Sequence, residues 1–199
     1  YLNGALKEGK RVMLEAQLGA LRDIDFGIYP FTTSSSTITA YGPVGAGIPN
    51  RKVDNSIGVM KAYSTCVGEG PFTAEMFGEE AENLRRAGGE YGAATGRPRR
   101  VGGFDVVASR YGCMVQATDE IALTKLDILD TIEKIPVCVA YDVNGTRVEE
   151  FPSGEALNIA KPIIEYMDGW MQPTVNCRRY EDLPENARKY IEYIESAVD

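Results

Sequence analysis

The chain has 199 residues, enough for one large or two small domains, and 44% of them are apolar, enough to bury a sizeable core. A formal charge of −8 works against a nucleic-acid platform, which needs clustered lysine and arginine to meet phosphate backbones. Histidine is absent, which excludes Ser-His-Asp and Cys-His arrangements within the chain and leaves no basis for a zinc site.

No apolar run approaches the ~18 residues that span a bilayer, so no membrane role is expected. Cys66, Cys113, Cys138 and Cys177 are widely spaced with no CxxC pair, the pattern of reduced thiols in a cytoplasmic protein.

Along the chain, Arg11–Gln17 (RVMLEAQ) is strand-like. Residues 27–50 are rich in Gly, Ser, Thr and Pro; a segment of this length is either functional or disordered, and its apolar and aromatic flanks favour the first. Ser56–Thr65 reads as a buried strand. Phe77, Ala81 and Leu84 then share one helical face, and Gly88-Gly89 ends that helix. Phe104, Val107, Ala108, Tyr111 and Val115 recur at helical spacing, and Glu120–Thr124 is a short strand. Ile135–Val143 and Thr146–Phe151 flank Asn144-Gly145, a strong two-residue hairpin signal. A last helix starts near Pro184 and buries Ala187, Tyr190, Ile191, Ile194 and Val198. This order predicts an α/β fold with a mixed central sheet flanked by helices, formed by residues 1–199 as a single α/β region.

Three stretches carry candidate chemistry. In GAATGRPRR (92–100), Arg97, Arg99 and Arg100 follow Gly92, Thr95 and Gly96. Guanidinium forks match carboxylate or phosphate oxygens in pairs, so this is either an anion pocket or a solvated charge run bridged to Glu79, Glu80 or Glu90. In TKLD (Thr124–Asp127), an aspartate at a strand end can accept two hydrogen bonds from guanine, and adenine would leave it unpaired. The Lys125 stem can then cover the base face; the alternative is a surface lysine beside a helix-capping aspartate. TTSSST (32–37) offers hydroxyls and amides for a phosphate nest, or is a polar linker. No GxxxxGK[ST] or GxGxxG stretch occurs, so the main cradle for a nucleoside triphosphate would lie elsewhere.

The segments DIDFGIYPFTTSS (23–35), KAYSTCVGEGPF (61–72), GEYGAATGRPRRVGGFD (89–105), LTKLD (123–127), PVCVAY (136–141) and EDLPENARKYIEYIE (181–195) together resemble the adenylosuccinate synthetase family, in its order and spacing. The resemblance covers essentially the whole chain and implies a fragment of that fold, central to late in the enzyme. It implies GTP-dependent ligation of IMP and L-aspartate to adenylosuccinate through a 6-phosphoryl-IMP intermediate, by a cytoplasmic homodimer that uses Mg2+. Aspartate would be held by Ala93, Ala94, Thr95, Gly96, Arg97, Pro98 and Arg99. GTP would be met by Arg99, Lys125, Leu126 and Asp127, and IMP by Gln17, Thr33, Val67 and Arg97. The general base, the catalytic histidine, the phosphate loop and the magnesium ligands belong to parts outside this chain. The resemblance therefore places no catalytic residue here, and the isolated chain is expected to be inactive. The alternative is a non-catalytic nucleotide-binding module, or one half of a two-chain enzyme. Three departures stand out: EAQLG (15–19) replaces EGAQG, so Leu18 takes the position of the IMP-contacting glutamine and Gln17 comes one residue early; Phe26 replaces a common histidine; Ala94 replaces a common threonine.

Overall fold

In the computed structural model, which describes residues 1–199, regular structure starts with helices α1 (Leu2–Lys7) and α2 (Gly42–Gly45). It continues with strands β1 (Ile57–Lys61) and β2 (Ser64–Cys66), helix α3 (Gly78–Gly88), strands β3 (Arg100–Gly102) and β4 (Phe104–Asp105), and helix α4 (Val106–Gln116). Strands β5 (Glu120–Thr124), β6 (Lys134–Val143) and β7 (Thr146–Val148), helix α5 (Glu155–Ile159), strand β8 (Lys161–Asp168) and helix α6 (Glu185–Val198) complete it. The chain forms two compact units, Tyr1–Gly58 with Gly112–Ile121, and Val59–Tyr111 with Ala122–Asp199. No helix is long and apolar enough to cross a membrane.

In the second unit, β6 is the spine of a four-stranded mixed sheet: parallel to β4, antiparallel to β7 and β8. Its sequence KIPVCVAYDV is an almost unbroken apolar run, as expected of a strand covered on both faces. Ile135, Val137, Cys138, Ala140 and Tyr141 are all buried. The Asn144-Gly145 turn has φ of 54° and 82°, the backbone that a two-residue hairpin needs, and it sets the Val143–Thr146 register. Helix α6 buries Ala187, Tyr190, Ile194 and Val198 along one stripe, and the Tyr190 hydroxyl donates to the Ala62 carbonyl at 2.6 Å.

Helix α3 ends as its sequence indicates. Gly89 is left-handed (φ 60°), and Glu79, Glu80 and Arg85, Arg86 sit at the ends of the helix that favour their charges. A Cβ at Gly89 meets nothing within 4 Å, so the cost of a side chain there is in the backbone alone. Gly89→Ala should therefore lower the unfolding free energy by about 1 kcal/mol, measured by urea denaturation.

Several expectations are corrected. Arg11–Gln17 forms no strand: it has no partner segment, and Met13 and Leu14 are exposed. Ser56–Thr65 is two strands broken at buried Ala62-Tyr63; β1 pairs with β5 and β2 with β3, and Ile57 and Val59 of β1 face solvent. Phe77 precedes α3 and is exposed, whereas Ala81 and Leu84 are buried. Phe104 belongs to β4, opposite Val137, and α4 begins two residues later. Strand β8 escapes the sequence because KPIIEYMD has little alternation and a proline; it is specified by its long pairing with β6.

In the first unit, residues 27–50 are a folded loop. Buried Asp23 accepts the amides of Asp25 (2.9 Å), Phe26 (3.0 Å) and Thr37 (2.5 Å). Burial alone would raise its carboxyl, but these backbone donors outweigh it and hold it below the usual range. Gln116 of α4 accepts from the Thr39 amide at 2.7 Å and donates to the Thr37 carbonyl at 3.1 Å, fixing the far side of TTSSST.

Candidate functional site

Glu90 is the centre of the second unit's polar chemistry. It lies between α3 and the arginine loop, its side chain is 0% exposed, and its amide donates to the Arg85 carbonyl at 2.9 Å. One carboxylate oxygen accepts from Lys61 (2.8 Å), Tyr63 (2.6 Å) and Lys125 (3.1 Å), and the other from Arg99 (2.9 Å). Burial by itself would raise this carboxyl, but the hydrogen bonds from Lys61, Tyr63 and Lys125 prevail and hold it at about 2. Glu90 is therefore a fixed anion at neutral pH, surrounded by three cations. Burial lowers the Lys61 ammonium, and Lys125 and Arg99 add to this; Glu90 opposes them. The cluster carries more positive than negative charge, which suits it to an anionic ligand.

The arginine loop closes on itself. The Gly92 amide donates to the Arg97 carbonyl (2.8 Å), the Gly96 amide to the Gly92 carbonyl (2.8 Å), and Tyr91 bridges Pro98. Gly96 has φ 64°, and Ala93, Ala94, Thr95 and Gly96 form the exposed tip. The Thr95 hydroxyl accepts the Arg97 amide at 3.3 Å. The three arginines then separate. Arg97 is exposed and has no ion pair. Arg99 pairs with Glu90, as the charge-run alternative expects, and its Nε is buried without a hydrogen-bond acceptor. Arg100 forks onto Glu75 (2.9 and 2.5 Å), donates to the Gly70 carbonyl (2.8 Å) and stacks on Phe72, so its work is structural.

TKLD lies at the end of β5. Lys125 has φ 58°, and its ammonium donates to the Gly88 carbonyl at 2.5 Å as well as to Glu90. Leu126 opens a 3-10 turn, Leu126–Leu129, and Asp127 is exposed in its first turn. Val67, just past β2, is exposed. A cleft of about 510 Å3, walled by Leu84, Phe104, Ile132 and Ile135, shares Tyr63 with the cluster but contains none of Arg97, Arg99 and Lys125; its apolar walls do not suit it to phosphate.

In the first unit, Gln17 donates to the Ser35 hydroxyl at 2.7 Å, and Ser35 is 3.3 Å from the Thr33 hydroxyl. The Thr33 amide donates to the Arg22 carbonyl at 2.8 Å. Leu18 is exposed with φ 66°, inside a three-residue turn closed by the Gly19 amide on the Gln17 carbonyl (2.8 Å). The one-residue offset in EAQLG thus leaves Gln17, not Leu18, against the hydroxyl stretch.

Sequence reasoning named Glu90 only as a partner of the arginines and missed Lys61 and Tyr63. The available signal was charge in unsuitable places: a lysine ending an apolar strand and a glutamate directly after the Gly88-Gly89 pair.

The adenylosuccinate synthetase family model matches residues 1–199. The adenylosuccinate synthetase of Thermodesulfovibrio yellowstonii is 46% identical over 198 residues, covering 99% of this chain and 47% of that protein. The Nocardioides sp. enzyme is 46% identical over 195 residues, covering 98% and 45%. The structure of fully ligated adenylosuccinate synthetase from Plasmodium falciparum superposes with a TM-score of 0.93 at 38% identity, covering 99% of this chain and 48% of that one. The chain spans about half the length of the curated relatives it matches, and with whole-length agreement in sequence and fold, it belongs to the adenylosuccinate synthetase family.

Proposed function

We propose that these residues work within an enzyme that joins IMP to L-aspartate at the expense of GTP. In this reading a base outside this chain takes the N1 proton of IMP, and the 6-oxygen attacks the γ-phosphate of GTP with release of GDP. The aspartate amine then displaces phosphate from C6, losing a proton, to give adenylosuccinate. Such transfers depend on placing the reactants and neutralising charge. The observation that carries the reading is the meeting of Lys125 and Arg99 on one buried carboxylate, which sets TKLD beside the arginine loop.

Asp127, exposed at the start of its turn, accepts from guanine, and Lys125 and Leu126 flank the base. Arg97, whose guanidinium has no ion-pair partner in this chain, binds an aspartate carboxylate with Thr95 and the amides of residues 93–95, on the loop that Gly96, Pro98 and Arg99 shape, and also reaches IMP. Arg99 offers its guanidinium to the GTP phosphates. Thr33, steadied by Ser35, receives the IMP 5′-phosphate, Gln17 assists there, and Val67 lines the ribose. The cations named above are this chain's own means of neutralising charge.

Arg97→Ala in the longest native form tests the reading. Losing a charge-assisted fork of ~1.5–3 kcal/mol should lower kcat/KM for aspartate by about 10- to 100-fold, with little change in stability because the side chain is exposed. An unchanged kcat/KM would remove Arg97 from the aspartate site, and a native form with no aspartate-dependent turnover would instead favour a non-catalytic nucleotide-binding module.

A further inference from the structure

Glu90 contacts no substrate in that scheme, yet both halves of it rest on this residue. Its carboxylate accepts Lys125 at 3.1 Å and Arg99 at 2.9 Å, and its backbone carbonyl accepts the Arg99 amide at 2.9 Å. Lys125 is gripped a second time by the Gly88 carbonyl, two residues before Glu90, at 2.5 Å. Lys125 is also in the left-handed region, which a lysine occupies only where its surroundings hold it there, and it caps the turn that carries Asp127. Arg99 is the residue by which the loop 92–98 returns to the sheet through β3. A shift of either cation is therefore felt by the other through a single rigid anion.

We propose that Glu90 is a positioning residue that couples the TKLD segment to the arginine loop, so that filling the guanine site raises affinity for aspartate and the reverse. The inference rests on the reading above. Its physical basis is that Lys61, Lys125 and Arg99 are held within hydrogen-bonding reach of one point only while a negative charge sits there. A neutral group of the same shape leaves three like charges facing each other, and they separate. The loop and the turn then lose their fixed relation and bind independently. Reciprocity follows from linkage: whatever factor GDP applies to aspartate affinity, aspartate applies to GDP.

The test is equilibrium titration of L-aspartate in the absence and presence of saturating GDP, in the longest native form and in its E90Q variant. The native protein should bind aspartate about 5-fold or more tightly with GDP present, the lower end of ordinary coupling, and the ratio should fall towards 1 in E90Q. Trp170 fluorescence checks that the variant is folded. A merely structural Glu90 would lower thermal stability and leave the ratio intact, and that result overturns the proposal, as does a ratio of 1 in the native protein. Should E90Q not fold, Glu90→Asp keeps the charge but is one methylene short of spanning its donors; it should give an intermediate ratio, and a native ratio there counts against the proposal. Lys125→Ala is measured alongside: if it leaves GDP binding unchanged, the assignment of the guanine site fails, and the coupling fails with it.

Discussion

Replacing Gly169 by alanine should lower the unfolding free energy by about 3 kcal/mol or more, a large effect for one methyl group. Gly169 follows β8, and its amide donates to the Glu133 carbonyl at 2.8 Å, continuing the pairing with the entry to β6. A Cβ there would lie 1.7 Å from the Ile132 carbonyl oxygen and 3.1 Å from that of Glu133. Both obstacles are backbone, so no rotamer change relieves them, and the ends of β6 and β8 must part. The Gly169 carbonyl also accepts from Asn186 of α6 at 2.9 Å, so the displacement reaches the helix that covers the core. The chain's single tryptophan, Trp170, is the next residue, buried with its indole N–H on Asp130 at 2.7 Å. Its fluorescence in urea reads this region directly; a midpoint equal to that of the native protein would show that β6 and β8 separate at little cost.

The second large effect concerns pH. Asp105 is buried at the junction of β4 and α4, where it accepts the Ala108 amide at 3.0 Å and the Tyr141 hydroxyl at 2.7 Å. Burial pushes its carboxyl up to about 6 against the pull of its donors at Ala108, Tyr141 and Val107. A carboxyl raised in the folded state binds its proton more tightly there than in the unfolded chain. Its stabilising contribution is therefore complete below pH about 3.8 and is lost as pH rises through about 6. At about 1.4 kcal/mol per pH unit, the loss approaches ~3 kcal/mol. Glu90 has the opposite sign: held at about 2, it contributes above its unfolded value of 4.5 and is lost as pH falls towards 2. Between them these two groups favour a stability maximum near pH ~4. Urea titrations from pH ~4 to ~7 on the native protein and Asp105→Asn isolate the first contribution. The native protein should lose about 2.5 kcal/mol relative to the variant across that range, mostly below pH ~6. A constant difference would show that Asp105 does not titrate there.

Both effects arise from close approach in the second unit: a backbone against a backbone, and a carboxylate against a hydroxyl in an apolar setting. The same density makes Glu90 a stable anion, because it has four donors, whereas Asp105 has too few to offset its burial fully.

Local physics was legible in the sequence. The stripe of α6, the left-handed Gly89 after α3 and the Asn144-Gly145 turn each depend on a few neighbouring residues, so period and turn chemistry specify them. The ordered motifs were also enough to identify the family, because they are contiguous strings. What depends on distant partners was not legible. Arg97, Arg99 and Arg100 have one chemistry and nearly one position, yet the first has no ion pair, the second rests on Glu90 and the third on Glu75. Lys61 and Lys125 meet Glu90 across 29 and 35 residues of sequence, and nothing local to either lysine names that carboxylate. Strand β8 exists because β6 is beside it, and RVMLEAQ is not a strand because no segment is. The sequence by itself determined the elements whose hydrogen bonds close within a few residues, and the family that arranges them. Only the tertiary structure decided which charges meet, since a charge pairs with whatever the fold brings within about 3 Å, and a strand needs a neighbour to satisfy its backbone.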